Sequence, residues 1–105
     1  MNTFEKGTVK ILLYKDVTSG VWYGSALEFN LTVDGDDREV VFLELSRAIK
    51  DYIVSAREIG AVALLNQEAD PELLDLWHAH SENRTLATPS PYTPYLAGTE
   101  SIAHG

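Results

Sequence analysis

The feature that most constrains this chain is a long amphipathic helix, predicted between Asp36 and Gly60. Asp36 is a suitable N-cap, and Glu39 follows it at the spacing of a capping box. Gly60 comes directly after the apolar pattern and predicts the end of the helix. A helix with one apolar face needs a sheet or other helices to cover it. Apolar residues recur on this face at helical spacing: Val41, Leu45, Ala48, Ile49, Tyr52, Ala56 and Ile59.

Three strands are predicted before this helix, and they supply a sheet for its apolar face. Residues 8–15 and 21–29 alternate in the manner of strands, and Leu31–Val33 continues as a short third strand. Between the first two strands, Asp16–Gly20 has the composition of a turn. In the second strand, Gly24 leaves a shallow place where a neighbouring element can approach closely.

The first strand is apolar on both of its faces. Val9, Ile11 and Leu13 lie on one face by alternation. On the other face Lys10 is joined by Leu12 and Tyr14, so this second face is not cleanly polar. We therefore expect the second face to be partly covered, either by the C-terminal tail or by another chain.

Two shorter elements and a tail follow the long helix. The apolar run Ala61–Leu65 predicts a fourth strand that returns along the sheet, although a continuation of the helix fits the same pattern. Asp70 and Pro71 predict the N-cap and first position of a second helix, which should fade near Asn83. Residues 85–105 contain three closely spaced prolines, which predict an extended or disordered chain without regular structure.

The predicted organisation is one α+β domain over residues 1–84, followed by a proline-rich C-terminal tail over residues 85–105. Tyr92, Tyr95 and Leu96 could dock this tail on a surface. The tail is therefore either a loose end or a binding arm.

The composition limits the chemistry and the location of the protein. Its 105 residues suffice for one small core, and the absence of cysteine excludes a disulfide framework and thiolate chemistry. No apolar run has the length of a membrane span, and the N-terminal residues lack the apolar core of a signal peptide. We therefore expect a cytoplasmic protein that does not enter a membrane.

The charge of the chain favours some partners over others. Sixteen Asp and Glu residues against eight Lys and Arg residues give a formal net charge of −8. Such a surface repels phosphate backbones, so direct nucleic-acid binding is not expected without an added module. It attracts basic proteins, although solubility alone accounts for the same charge.

The acidic turn before the long helix is a candidate metal site because hard cations bind clustered carboxylates. Its members are Asp34, Asp36, Asp37 and Glu39. Their spacing differs from that of a calcium-binding loop, and helix capping accounts for the same residues. His78 and His80 lie two positions apart, so on a helix their side chains point in different directions. The sequence therefore predicts no metal site.

Other kinds of catalysis lack the residues that they need. Nucleophilic catalysis requires a nucleophile, a base and an orienting group, and the serines of this chain carry no flanking motif. The glycines form no phosphate-binding loop. We therefore predict no catalytic residues and no cofactor, in a protein that is not an enzyme. A metal-dependent nuclease that uses the acidic turn is the open alternative.

The order of elements from Val9 to Ile53 resembles the HicB-like antitoxin domain. In that family a strand and a turn are followed by a strand with an aromatic residue among small ones, a short strand, and a helix that starts at a glycine-containing acidic turn. The matching segments are Val9–Tyr14, Gly20–Ala26, Leu31–Val33, Asp34–Asp37 and the helix residues Leu45, Ala48, Ile49 and Tyr52. Leu27–Leu31 departs from the family pattern because it contains neither proline nor glycine.

The resemblance implies a β-β-β-α-β fold, similar to a truncated ribonuclease H or a double-stranded-RNA-binding arrangement, with the sheet packed on one long helix. A short C-terminal helix is expected in addition, but no C-terminal DNA-binding module. The resemblance also implies a partner, a small basic RNA-cleaving toxin of the HicA type, which the antitoxin would sequester. The net charge of −8 suits such a partner, because opposite charges speed the encounter.

Six residues are the candidates for binding this partner. Tyr14 and Trp22 would supply contact area from the outward strand face, and the acidic turn would supply charge. The charged candidates are Asp34, Asp36, Asp37 and Glu39.

The alternative function is that of an orphan HicB-like module, structural or regulatory, that associates with itself and has no toxin partner. The partly apolar second face of the hairpin would then form the interface. We expect a homo-oligomer, a dimer or a larger assembly.

Overall fold

The computed structural model describes residues 7–86 and 89–102. Within these residues the chain forms four β-strands and two α-helices. In chain order they are β1 (Thr8–Asp16), β2 (Trp22–Ala26), β3 (Leu31–Gly35), α1 (Arg38–Glu58), α2 (Pro71–Ser81) and β4 (Tyr92–Ser101). The α+β class expected from the sequence is confirmed.

The strands form one antiparallel sheet in the order β3-β2-β1-β4. The predicted turn between β1 and β2 is confirmed, since Asp16 accepts a hydrogen bond from the Thr18 amide and Gly20 has a φ of +78°. The second strand is shorter than predicted. It ends at Ala26, and Leu27–Phe29 forms a 3-10 turn before Asn30 takes a left-handed conformation.

Helix α1 packs on one face of the sheet, over β2 and β3. Two glycines allow this close approach. A Cβ atom on Gly24 would lie 3.1 Å from Val41 Cγ1 and 3.2 Å from Leu45 Cδ2, and one on Gly35 would lie 3.0 Å from Val41 Cγ2. The shallow place predicted at Gly24 is therefore confirmed, and the neighbouring element is the helix. The core on this side contains Val9, Ile11, Ala26, Phe29, Leu45, Ile49, Ile53, Ala56, Leu65 and Ile102.

Helix α2 packs on the opposite face of the sheet and builds a second core there. Leu12, Tyr14, Leu27 and Leu76 are buried in it, with partly buried aromatic side chains around them. The second face of β1 is thus covered by α2 and in part by the C-terminal region, since Leu86, Tyr92 and Ala97 pack against the same core. The expectation that the tail partly covers this face is confirmed for these residues. The part played by α2 was not predicted, because alternation shows which residues share a face but not which element lies over it.

The start of α1 differs by one residue from the prediction. Asp37, not Asp36, is the N-cap, and its carboxylate accepts hydrogen bonds from the amides of Glu39 and Val40 at 2.8 Å and 3.2 Å. The predicted capping box between Asp36 and Glu39 is therefore wrong. The helix starts later because β3 continues to Gly35. Its end is confirmed at Gly60, which has a φ of +71°.

The predicted fourth strand over Ala61–Leu65 is wrong. Val62–Leu65 forms a 3-10 turn after α1, with Leu65 buried and Val62 and Leu64 exposed. Tyr52 holds this turn by donating a hydrogen bond from its hydroxyl to the Leu64 carbonyl. A short apolar run does not distinguish a strand from a turn that fills one gap in the core.

The fourth strand instead comes from the region predicted as a proline-rich tail. Tyr92–Ser101 pairs with β1 from Asp16 to Thr8, so the prediction of a chain without regular structure is wrong for these residues. The Val17 amide donates to the Pro91 carbonyl, and this places Thr93 among the residues that bond to β1. Pro94 then faces the outer edge, where its missing N–H removes no bond between strands.

The second helix is confirmed, with Asp70 as N-cap and Pro71 at its first position. It ends at Ser81, close to the predicted Asn83, which has a φ of +54°. Residues 87–88 and 103–105 of the predicted tail lie outside the described residues. No helix in the described part of the chain is long and apolar enough to cross a membrane.

Candidate protein-interaction surface

Four exposed carboxylates lie where β3 passes into α1, and we call them the acidic corner: Asp34, Asp36, Asp37 and Glu39. The Asp37 carboxylate caps the helix, and Glu39 lies in the first turn. The positive end of the helix dipole stabilises negative charge at this position. The fold therefore gathers these carboxylates at one corner of the molecule, as the sequence predicted.

An apolar groove of about 400 Å³ adjoins the acidic corner, and we call it the α1–β4 groove. It exists because α1 lies over β2 and β3 and leaves this face of β4 uncovered. Leu43, Tyr95 and Leu96 are exposed by 65%, 45% and 36% and line the same groove, and adjoining exposed apolar side chains mark candidate contact sites. The residues that line the groove are Leu13, Arg38, Glu39, Phe42, Leu43, Tyr95 and Leu96.

Trp22 lies on the same face of the sheet and joins the groove to the hairpin. Its ring meets the Tyr95 ring edge-on, with centroids 5.5 Å apart. The Lys15 ammonium lies 5.4 Å from the Trp22 ring centre, and the Arg38 guanidinium lies 4.5 Å from the Tyr95 ring centre. These cation–π contacts hold the aromatic pair in place beside the acidic corner.

Glu39 and Arg38 connect the two parts of the surface. Both line the groove, and Glu39 also belongs to the acidic corner. Charge and apolar area are therefore contiguous here. A partner with a basic patch beside an apolar side chain can contact both at once.

Tyr14, the sixth predicted contact residue, lies elsewhere. It is only 4% exposed, in the core beneath α2, so its predicted place on an outward face is wrong. Its hydroxyl lies 2.9 Å from Ser25 Oγ, which in turn lies 2.8 Å from Thr32 Oγ1. Burial raises the pKa of Tyr14, because desolvation opposes the phenolate more than the hydrogen bond from Ser25 favours it.

The structure thus brings together five of the six predicted residues and adds six that were not predicted. The additions are Leu13, Arg38, Phe42, Leu43, Tyr95 and Leu96. One signal for Leu43 was present in the sequence, since it lies off the apolar stripe of α1 and so must be exposed or contact something else. Tyr95 and Leu96 were recognised only as residues able to dock.

Of the two histidines of α2, His78 belongs to a hydrogen-bonded network with Glu82 and Arg84. His78 Nδ1 lies 3.0 Å from Glu82 Oε2, and Arg84 reaches the other oxygen of Glu82 at 3.2 Å. The hydrogen bonds from His78 and Arg84 lower the pKa of Glu82. In residues 7–86 and 89–102 no cluster of three His, Cys, Asp or Glu side chains has a metal-binding arrangement.

Comparison of the chain with protein-family models, with curated proteins and with solved structures gives no match. The acidic corner and the α1–β4 groove are therefore interpreted from their own geometry.

Proposed function

We propose that this protein is a non-enzymatic interaction domain that binds a basic protein through the acidic corner and the α1–β4 groove. The observation that carries the proposal is that the acidic corner adjoins, through Glu39, a groove lined by exposed apolar side chains, in a chain with a net charge of −8. Large apolar side chains at the centre of an interface supply most of its binding energy. Charges at the rim steer the encounter and select the partner.

The resemblance to the HicB-like domain extends this proposal to the identity of the partner. The partner would be a small basic RNA-cleaving protein of the HicA type, and binding would cover its active face. The observed order of three strands and then a long helix supports this extension, whereas the fourth strand follows a second helix and not the long helix directly. The extension rests on the resemblance, whereas the basic character of the partner rests on the surface itself.

The alternative function was self-association through the second face of the hairpin. That face is not exposed in the structure. Leu12 and Tyr14 of that face are buried beneath α2. The hairpin could pair with a second copy there only if α2 moved away. The partly exposed apolar area lies on the other side of the sheet, in the α1–β4 groove.

The proposal is tested by isothermal titration with a small basic RNA-cleaving protein of the HicA type. We expect Asp34→Asn/Asp36→Asn to weaken binding about tenfold at low salt, because rim charges contribute modest energy and are screened by ions. Leu43→Ala should weaken binding about tenfold or more at any salt concentration, since it removes an apolar anchor. Neither change touches the Asp37 cap or the core.

A matched control removes the same charge from the second half of α1, away from the acidic corner. Asp51→Asn/Glu58→Gln changes two exposed carboxylates outside the acidic corner. We expect it to change affinity at least several-fold less than Asp34→Asn/Asp36→Asn. Equal losses of affinity in the two double variants would show that only the net charge of the protein matters and not the position of the acidic corner. If Leu43→Ala and Asp34→Asn/Asp36→Asn each bind with unchanged affinity, the proposed surface is wrong.

A further inference from the structure

The outer edge of β4 carries hydrogen-bonding groups whose direction follows from the strand register. Ile102 donates its amide hydrogen to the Gly7 carbonyl, so these two residues form a hydrogen-bonded pair beyond the end of the β1–β4 ladder. Such pairs alternate with non-bonded pairs along antiparallel strands. Glu100 and Gly98 therefore bond to β1, whereas Ala97, Thr99 and Ser101 direct their N–H and C=O groups away from β1.

No other strand in the described part of the chain lies on that side of β4. Natural edge strands are protected by proline, lysine, bulges or short length. The first half of β4 has such protection, with Pro94 and the irregular register near Leu13. The second half, Leu96–Ser101, contains no proline and no lysine, and Glu100 is its only charged residue. The other edge strand, β3, is five residues long and ends in Asp34-Gly35.

We propose that this second half of β4 pairs with the same segment of a second copy, antiparallel and about a two-fold axis at Thr99. The two sheets would then join into one continuous sheet. In this register Thr99 bonds to Thr99 of the second copy, and Ala97 bonds to Ser101 on either side of the axis. Each of these pairs can exchange two hydrogen bonds.

The side chains of the segment suit this register. Two threonines face each other at the axis, a favourable cross-strand pair. Glu100 lies opposite Gly98 of the second copy, so carboxylates are not directly opposed. A two-fold contact of this kind is closed, because each copy uses the same segment, which is then not available to a third copy.

The same features favour a second copy over a foreign peptide. Domains that bind peptides by strand addition select them through pockets for alternate side chains. Along this edge Ala97 and Gly98 are small and provide no such pocket. Glu100 is the only charged residue of Leu96–Ser101, and in the two-fold register it lies opposite a glycine, so the segment suits a second copy of itself. This interface is separate from the acidic corner and does not depend on the proposed function.

The test is sedimentation of the full chain over a wide concentration range, with Thr99→Pro as the variant. Proline at this position removes the outward N–H at the axis and no bond to β1. We expect a monomer–dimer equilibrium for the unchanged chain and a dimer dissociation constant raised about tenfold or more for the variant. A monomer at every concentration overturns the proposal, and so does a dimer that Thr99→Pro leaves equally tight.

A cross-linking experiment decides the register even if Thr99→Pro impairs folding. The chain contains no cysteine, so one introduced thiol gives an unambiguous product. In Thr99→Cys the two thiol-bearing residues would face each other, with Cβ atoms about 5 Å apart. Thr93→Cys places a thiol on the same strand, also at an exposed position, outside the paired segment. We expect a short thiol-reactive linker to join Thr99→Cys chains at least tenfold faster, and equal rates contradict the register.

Discussion

Gly24 shows how one residue sets the distance between the sheet and α1. Its missing side chain leaves the space that Val41 and Leu45 fill. Both of those residues are buried, with exposures of 0% and 1%, so neither can move aside without disturbing the core. A larger residue here must therefore displace the helix or strain the side chains beneath it.

We expect Gly24→Ala to lower the free energy of unfolding by about 1–3 kcal/mol, because overpacking costs more than alanine gains in strand preference. Gly98→Ala is the matched control in β4. Its added Cβ would meet Leu96 Cδ2 at 3.8 Å and Ile11 Cγ1 at 3.9 Å, which are ordinary contacts. Urea denaturation should show little change for the control. Equal stability of the two variants would contradict the role given to Gly24.

Tyr14 marks the limit of what alternation along a strand can predict about a residue. Alternation placed it correctly opposite Leu13, on the face with Leu12. It did not show that α2 covers that face, because this depends on residues some sixty positions later in the chain. The tyrosine was therefore predicted as an exposed contact residue, whereas it is buried and bonded to Ser25.

All but one of the strands and helices could be predicted from residues in or next to the element itself, and the exception is β4. The hairpin, β3, α1 and α2 were predicted from alternation, helical spacing, caps and turn residues, all of which lie within the elements themselves. The strand β4 was missed because Pro94 within it, together with Pro89 and Pro91 just before it, argues against a strand. Whether a proline is tolerated depends on which side of the strand its nitrogen faces, and the pairing with β1 decides that.

Residues of β4 alternate between bonding to β1 and facing the outer edge, and this predicts different effects of proline at two neighbouring positions. Glu100 bonds to Val9 in β1, whereas Thr99 faces the outer edge. We therefore expect Glu100→Pro to lower the free energy of unfolding by about 3 kcal/mol or more, and Thr99→Pro by clearly less. Both are measured by urea denaturation at a concentration where the chain is monomeric. A larger loss of unfolding free energy for Thr99→Pro would show that Thr99, and not Glu100, bonds to β1. The proposed dimer would then have no basis.

For the molecule as a whole, the arrangement is a sheet with one helix on each face and a core on each side. The long helix alone could not reveal this, since it accounts for only one of the two cores. The α1–β4 groove could not be predicted either, because it results from the position of α1 over β2 and β3 and not from a motif. The acidic corner, by contrast, is one continuous segment, and its position follows directly from the sequence.

The last strand joins both cores, and this predicts the effect of ending the chain at residue 91. Ile102 is buried on the α1 side, and Tyr92 packs edge-on against Tyr14 on the α2 side, with centroids 5.1 Å apart. The Trp77 indole donates to the Gly98 carbonyl at 2.9 Å, which ties α2 to the same strand. Removal of β4 would expose one whole edge of β1 together with parts of both cores.

We expect a chain of residues 1–91 to lose cooperative thermal unfolding, because the lost contacts exceed the roughly 5 kcal/mol that often separates a small folded domain from its unfolded state. A chain that ends at Ile102 retains every described element and is the control. Circular dichroism and amide hydrogen exchange distinguish the two. Exchange in β1 should rise to that of an unfolded segment in the shorter chain, since β4 protects one edge of β1. Native-like protection of β1 without β4 would instead show that residues 1–91 fold independently and that β4 only docks on them.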